Sequence, residues 1–312
     1  MTKITVVGAG FVGMSCAQRL AEQEVAEDVV LIDVVEGKPQ GLALDITQAG
    51  AIEGYQVNLL GTNDPADTAG SDLVIMTAGL PRKPGMDRSD LLEVNGKIVT
   101  QVAAYVAGES PDSRVVLVSN PLDTMVHLMA EKLGFPKSRV VGMAGVLDSA
   151  RMAAFIADSM GGGIQDVRCM VLGGHGDSMV PMPGFSTVNG VSLPSMMGDE
   201  EIQGINDRTR NGGAEIVNLL KTGSAFYAPS AAAVAMAKAI VRNESRLLPC
   251  SAWLEGQYGL DGIYMGVPVI LGRDGVERIV ELELDEGGQA KLEASASAIG
   301  SDIKTLEGLG LL

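Results

Sequence analysis

Apolar positions follow two different rhythms along the chain. In the first half, short apolar runs at Ile4–Val7, Val29–Ile32, Tyr55–Leu60, Leu73–Thr77 and Val115–Val118 alternate with amphipathic stretches such as Val12–Glu22 and Leu91–Ala107. Short runs of this kind read as strands and the stretches between them as helices. Their alternation predicts βαβ units and a parallel sheet buried on both faces. Pro121 follows the last run and suits the first turn of a helix reaching Met129.

The second half reads differently. Gly161-Gly162-Gly163 precede a strand at Val167–Leu172, and a polar stretch covers 184–200. Helices are expected at Glu201–Leu220 and Ala231–Val241. Strands follow at Leu247–Leu254 and Val267–Leu271, then a turn at Gly272–Gly275, a strand at Val276–Leu284 and a terminal helix. A doubly wound α/β half at 1–143 followed by an α+β half at 144–312 is the organisation this predicts. Gly142 and Gly145 flank the boundary near Met143.

Composition narrows the classes. At about 150 residues per domain, 312 residues suit two domains. Hydrophobic residues make up 46% and aromatics 4%, so aliphatic side chains, Ala and Met must fill the core. A net charge of −16 disfavours nucleic acid and anionic membranes as partners. An anionic substrate would therefore need a locally basic site. No apolar run reaches the ~18 residues of a membrane span, and the first strand is too short for a signal-peptide core. Cys16, Cys169 and Cys250 are far apart and form no disulfide framework or metal spacing. A reducing, cytoplasmic setting without a bound metal is expected.

The first run leads into Gly8-Ala9-Gly10-Phe11-Val12-Gly13 and then a helix. In this Gly-x-Gly-x-x-Gly order, Gly8 permits a tight turn, Gly10 lets a pyrophosphate approach, and Gly13 lets helix and strand pack closely. The helix N-terminus offers N–H groups and partial positive charge to phosphates. Twenty residues after Gly13, Asp33 ends the second strand run. A carboxylate there accepts from ribose hydroxyls and repels a 2′-phosphate, so NAD is favoured over NADP. Val118-Ser119-Asn120 ends the fifth run. Asn120 either holds the nicotinamide end or stabilises the turn before Pro121.

Three further segments carry chemistry. Gly79–Arg88 is stiffened by prolines and basic in an acidic chain; Arg82 and Arg88 suggest a lid over an anion, or else a solvated loop. If Leu147–Arg151 is helical, Asp148 and Arg151 share a face. They form a local ion pair, or a histidine-orienting carboxylate beside a guanidinium clamp for a carboxylate. His175 lies in Gly-Gly-His-Gly-Asp (173–177), and the only other histidine is His127. Histidine is the side chain that titrates near neutral pH.

In their order, Gly8–Gly13 with Asp33, Ala78–Arg88, Asn120–Asp123, Asp148–Arg151 and Gly174–Asp177 resemble the NAD-dependent lactate/malate dehydrogenases. Within that family the chain is similar to the bacterial, lactate-dehydrogenase-like malate branch. The resemblance covers nearly the whole chain. It implies a Rossmann-type first domain, and His175 as proton acceptor and donor with Asp148 fixing its tautomer. It further implies that Arg151 clamps the C1 carboxylate, Arg88 polarises the C2 oxygen, and Asn120 bridges cofactor and substrate. Asn95 matches a cofactor-contacting position, although the sequence by itself reads as a surface helix residue there. Arg at 82 and the small Ser224 point to a dicarboxylate, malate or oxaloacetate. Pyruvate, the substrate of lactate dehydrogenases, lacks the second carboxylate that Arg82 would pair. A noncatalytic redox-sensing module would not need this constellation. A homodimer or homotetramer is implied, with Val12–Glu22 and Glu201–Leu220 as candidate faces.

Overall fold

The computed structural model describes residues 2–81 and 88–312. The first half runs β1 (Lys3–Val7), α1 (Phe11–Glu22), β2 (Asp28–Ile32), α2 (Lys38–Glu53), β3 (Asn58–Thr62), β4 (Leu73–Met76), α3 (Arg88–Glu109), β5 (Arg114–Leu117), α4 (Leu122–Leu133) and β6 (Val140–Gly142). The order in the sheet is β3-β2-β1-β4-β5-β6 and every pairing is parallel. Val, Ile and Leu fill β1, β2, β4 and β5 because helices cover both faces. β3, at the edge, alternates between exposed and part-buried positions.

The second half continues with α5 (Gly145–Met160), β7 (Val167–Arg168), β8 (Val171–Gly173), β9 (Met179–Pro181), β10 (Thr187–Val188) and β11 (Val191–Ser192). Then come α6 (Asp199–Leu220), α7 (Tyr227–Val241), β12 (Arg246–Glu255), β13 (Asp261–Gly272), β14 (Gly275–Ile279) and α8 (Glu286–Gly308). β12 pairs antiparallel with β6 through Ser251 and Gly142, and the sheet runs on through β13, β8 and β9. One sheet therefore joins the two halves.

Several elements differ from the sequence expectation. The third strand begins at Asn58, opposite Asp28, instead of Tyr55. Tyr55 is occupied in closing α2, its hydroxyl donating to the Ile46 carbonyl. The expected strand Val167–Leu172 is two strands. β7 pairs β10 in a separate small sheet, and β8 pairs β9 and β13 in the main one. The polar stretch 184–200 holds the β10–β11 hairpin, turned on Asn189-Gly190 with both residues at positive φ. β13 is longer than expected, whereas the strand after Gly275 stops at Ile279. Pro121 stands just before its helix, as the cap residue.

α1 buries its apolar stripe inside the chain. Cys16, Ala17 and Leu20 are fully buried, and α1 packs against α7. The stripe itself is thereby covered within the chain. α6 instead leaves Val217, Leu219 and Leu220 exposed near its end, and α2 leaves Leu44 and Ile52 exposed. Cys16 and Cys250 are buried and Cys169 is partly buried; all three are free thiols. Burial pushes the Cys16 and Cys169 thiols up to about 12.

Candidate active site

The carboxyl ends of β1, β2, β4 and β5 meet where the strand order reverses, between β1 and β4. Ligands of open α/β sheets bind at such a switch point. Gly8 has φ +96, and a Cβ there would lie 2.8 Å from Ala78 N. A Cβ on Gly13 would lie 1.8 Å from the Gly8 carbonyl oxygen. Thr77 fastens the turn, its hydroxyl donating to the carbonyls of Val7 (2.9 Å) and Gly8 (3.1 Å). Gly10 caps α1 with no side-chain hydrogen bond, and a Cβ on it would meet nothing within 4 Å. Here the backbone is open and the helix N-terminus keeps its donors.

Asp33 sits opposite this opening, partly buried. Its Oδ2 accepts from Ala9 N–H (2.6 Å) and its Oδ1 from Val35 N–H (2.9 Å). Each carboxylate oxygen has two lone-pair sites, so each keeps capacity for a further donor. The acid thus stiffens the glycine turn as well as facing it. A bare backbone, an uncapped helix end and a carboxylate with spare acceptors fit a pyrophosphate-linked dinucleotide. Phe11 is exposed and stacks on Phe226, centroids 5.1 Å apart, while Val12 packs partly against the core.

Val118, Ser119 and Asn120 form the floor beside β4. Val118 N–H donates to the Met76 carbonyl (2.9 Å). The Ser119 hydroxyl donates to the Ala78 carbonyl (2.5 Å), and the Asn120 side chain is exposed. Asn95 corrects the surface reading: it is 1% exposed. Its Oδ1 accepts from Leu80 N–H (2.8 Å), and its Nδ2 donates to the carbonyls of Leu80 (3.1 Å) and Asn120 (2.6 Å). Its amide clips the strand ends of β4 and β5 together.

The second group of residues comes from α5 and the turn after β8. α5 is helical from Gly145, so Asp148 and Arg151 do share a face. His175 Nδ1 and Asp148 Oδ2 are 2.8 Å apart. Arg151 Nη1 donates to Asp148 Oδ1 (3.1 Å). The Asp148 side chain is 2% exposed and those of His175 and Arg151 12% and 14%, so the acid lies beneath its partners. Burial pulls the His175 pKa down, but the Asp148 carboxylate and its hydrogen bond outweigh this, and the net direction is upward. With Nδ1–H given to Asp148, the neutral ring presents Nε2 as its base. Arg151 Nε is buried without a partner among the described residues, so the guanidinium keeps donor capacity beyond Asp148. α6 lies alongside through Gly212 and Gly213; a Cβ on Gly213 would be 3.5 Å from Arg151 Nη2.

Arg82 and the side chain of Arg88 lie outside the described residues. Ser224 is exposed on the segment between α6 and α7. His127 lies apart from the site, packed between Trp253 and Tyr264. Sequence reading passed over Asp123 and Ser295, which hold the histidine turn. Asp123 Oδ2 accepts from His175 N–H (2.8 Å), and Ser295 Oγ accepts from Gly174 N–H (2.7 Å). Only the position of Asp123 in Asn120–Asp123 hinted at a role; Ser295 carries no local signal.

Family profiles match both halves. The NAD binding domain of lactate/malate dehydrogenase matches residues 2–142, and the alpha/beta C-terminal domain matches residues 145–309. The malate dehydrogenase of Roseiflexus sp. (strain RS-1) is 52% identical over 98% of this chain and 99% of its own length. The structure of malate dehydrogenase from Salinibacter ruber superposes with a TM-score of 0.95 at 45% identity, covering 99% of this chain and 98% of that one. A lactate dehydrogenase from Cryptosporidium parvum, in complex with lactic acid and β-nicotinamide adenine dinucleotide, also gives a TM-score of 0.95. Its identity is 44%, and 98% of each chain is covered.

The two glycines of the turn should respond differently to alanine. Gly13→Ala forces Cβ into the Gly8 carbonyl and is expected to lower Tm, by about 1–3 kcal/mol of stability or more. Gly10→Ala meets open space in the free protein, so its Tm should change little while NADH binding weakens at least about tenfold. Calorimetry and NADH fluorescence titration on both variants check this. Equal loss of stability in the two would remove the distinction.

Proposed function

The chain belongs to the lactate/malate dehydrogenase family, and we propose how its residues carry the reaction of a malate dehydrogenase, the reversible NAD-dependent oxidation of malate to oxaloacetate. Held by Gly8–Gly13 and Asp33, NAD would supply hydride-acceptor chemistry for C2 of (S)-malate, and NADH the hydride donor for oxaloacetate. His175 moves the proton: Nε2 takes it from the C2 hydroxyl in oxidation and gives it back in reduction. Asp148 fixes the tautomer and stabilises the imidazolium. Arg151 clamps the carboxylate common to all 2-hydroxy acids, with the donors that Asp148 leaves free. The observation that carries this reading is the Arg151–Asp148–His175 chain, two contacts of 3.1 and 2.8 Å on one buried carboxylate.

On this reading Gly8–Gly13 and Asp33 hold the pyrophosphate and adenosine ribose, and Val118, Ser119 and Asn120 face the nicotinamide end. Asn95 supports that end by fixing Leu80 and Asn120. Arg88 polarises the C2 oxygen and Arg82 pairs the distal carboxylate; both assignments come from the sequence. Ser224 leaves room for the longer diacid. We take 1–143 as the nucleotide half and 144–312 as the substrate half.

The chain acts as a homodimer or homotetramer in the cytoplasm. The exposed apolar residues of α2 and α6 support the assembly, and three unpaired thiols suit a reducing compartment. Light scattering should give a mass of two or four chains at micromolar concentration; a monomer would refute this.

Removing the charge at Asp148 should shift the pH profile in a defined direction. Reduction of oxaloacetate needs protonated His175, so its rate falls as pH rises through the folded pKa. Asp148 keeps that pKa up. In Asp148→Asn the alkaline limb of kcat/KM should therefore move to lower pH, with a loss of kcat on the order of 10²-fold or more. An unmoved limb would argue against the pair as the proton device.

Changing Arg82 to Gln tests the substrate. Arg151 already serves the carboxylate shared by oxaloacetate and pyruvate, so only the distal carboxylate should miss Arg82. The oxaloacetate-to-pyruvate ratio of kcat/KM should fall by about 10²-fold, the lower end for a broken charge pair of about 3–5 kcal/mol. Assays with both substrates at one salt concentration measure it. An unchanged ratio would mean that Arg82 does not read the substrate.

A further inference from the structure

Asp123 is a buried carboxyl for which the reaction scheme has no use. It stands in the first turn of α4 and is 4% exposed. The helix gains a favourable charge at its N-terminus, which is a sufficient structural reason for an acid there. The side chain does something else as well. Its Oδ2 accepts the backbone N–H of His175, 52 residues further along, at 2.8 Å. Oδ1 is buried and has no hydrogen-bond partner among the described residues. Ser251 of β12 is also fully buried, its Oγ likewise without a hydrogen-bond partner among the described residues, and it favours the charged form of Asp123.

The histidine turn is therefore held at two successive amides by side chains of distant helices. Gly174 N–H is taken by Ser295 of α8 and His175 N–H by Asp123 of α4. Among the described residues, three charged groups act on the imidazole: Asp148 and Arg151 from α5, and Asp123 from α4. Arg151 opposes protonation of the ring, while the two acids favour it. One acid touches the ring and the other holds the backbone behind it.

We propose that Asp123 is a positioning residue for the proton transfer: by holding the His175 amide it keeps Nδ1 in register with Asp148, and its charge favours the imidazolium. The proposal rests on His175 being the proton acceptor. Burial raises the pKa of Asp123 itself, and the His175 amide works against that rise. The charge of Asp123 is thus best tolerated when the ring beside it is positive. A neutral Asp123 would only orient; a charged one also tunes.

Two variants separate orientation from charge. Asp123→Asn keeps a carbonyl oxygen for the His175 amide and removes the charge. Asp123→Ala removes both. For oxaloacetate reduction, Asp123→Asn should move the alkaline limb of kcat/KM to lower pH by up to about one unit. The acid limb of malate oxidation should move the same way, because that direction needs the neutral ring. Asp123→Ala should lose more kcat than Asp123→Asn, by about 10–100-fold, since the imidazole is no longer held in register. NADH affinity, read by fluorescence, should stay within about twofold in both. An unmoved pH limb in Asp123→Asn would overturn the proposal, whatever happens to kcat. If Asp123→Ala fails to fold, Asp123→Asn decides alone. His175→Asn is the reference. If it retains turnover, the acid–base assignment itself fails; if it is inactive and the Asp123→Asn limb is unmoved, the proposal for Asp123 fails while the assignment of His175 stands.

Discussion

Asp148 carries a negative charge into a place with almost no water, its side chain 2% exposed. An isolated carboxylate there would be neutralised or would destabilise the fold. Two partners prevent this, Arg151 through Oδ1 and His175 through Oδ2. Burial makes the arrangement directional, because breaking such a pair on one side costs about 3–5 kcal/mol. The same acid that requires Arg151 for its own solvation raises the basicity of His175. One carboxylate therefore positions Arg151 and sets the tautomer and proton affinity of His175 together.

The ends of β4 and β5 are tied to the histidine turn by a second set of contacts. Asn95 ties Leu80 to the Asn120 carbonyl, and three residues after Asn120 the Asp123 carboxylate reaches the His175 amide. The ends of β4 and β5 and the turn that carries His175 are thus joined by side-chain-to-backbone bonds. β12 contributes the frame for this, since Ser251 pairs with Gly142 of β6 and the same strand pairs with β13 along its length. β13 in turn pairs with β8 at Gly266 and Gly173, two residues before His175. Backbone hydrogen bonds and buried polar side chains set the geometry.

Local signals made the nucleotide half legible. Strands buried on both faces are continuous apolar runs, and β1, β2, β4 and β5 stand where those runs fall, within one residue at either end. The histidine constellation was legible for a different reason: Asp148 and Arg151 are neighbours on one helix, and glycines frame His175. What escaped were features set by the far side of the fold. β3 starts late because Tyr55 closes α2. The run Val167–Leu172 divides because its two ends find partners in different sheets. Asn95 looks polar and helical in the sequence, yet it is buried because two loops need its amide. Asp123 and Ser295 matter only through residues 52 and 121 positions away.

Lactate and malate enzymes share this backbone, so the choice of substrate has to be made by side chains. The comparison reduces to charge. The chain carries 39 acidic and 23 basic residues, a field that opposes any anion approaching it. Binding a dianion against that field takes cations placed where water is excluded, because exposed ones are screened within about 8–10 Å. Arg151 is such a cation, paired with Asp148 and with its Nε unpartnered among the described residues. Asp148 already draws on that charge, so Arg151 by itself balances no more than one carboxylate. A monocarboxylate substrate needs nothing further. A dicarboxylate needs a second cation of its own, and in this sequence Gly79–Arg88, which follows β4, carries three: Arg82, Lys83 and Arg88.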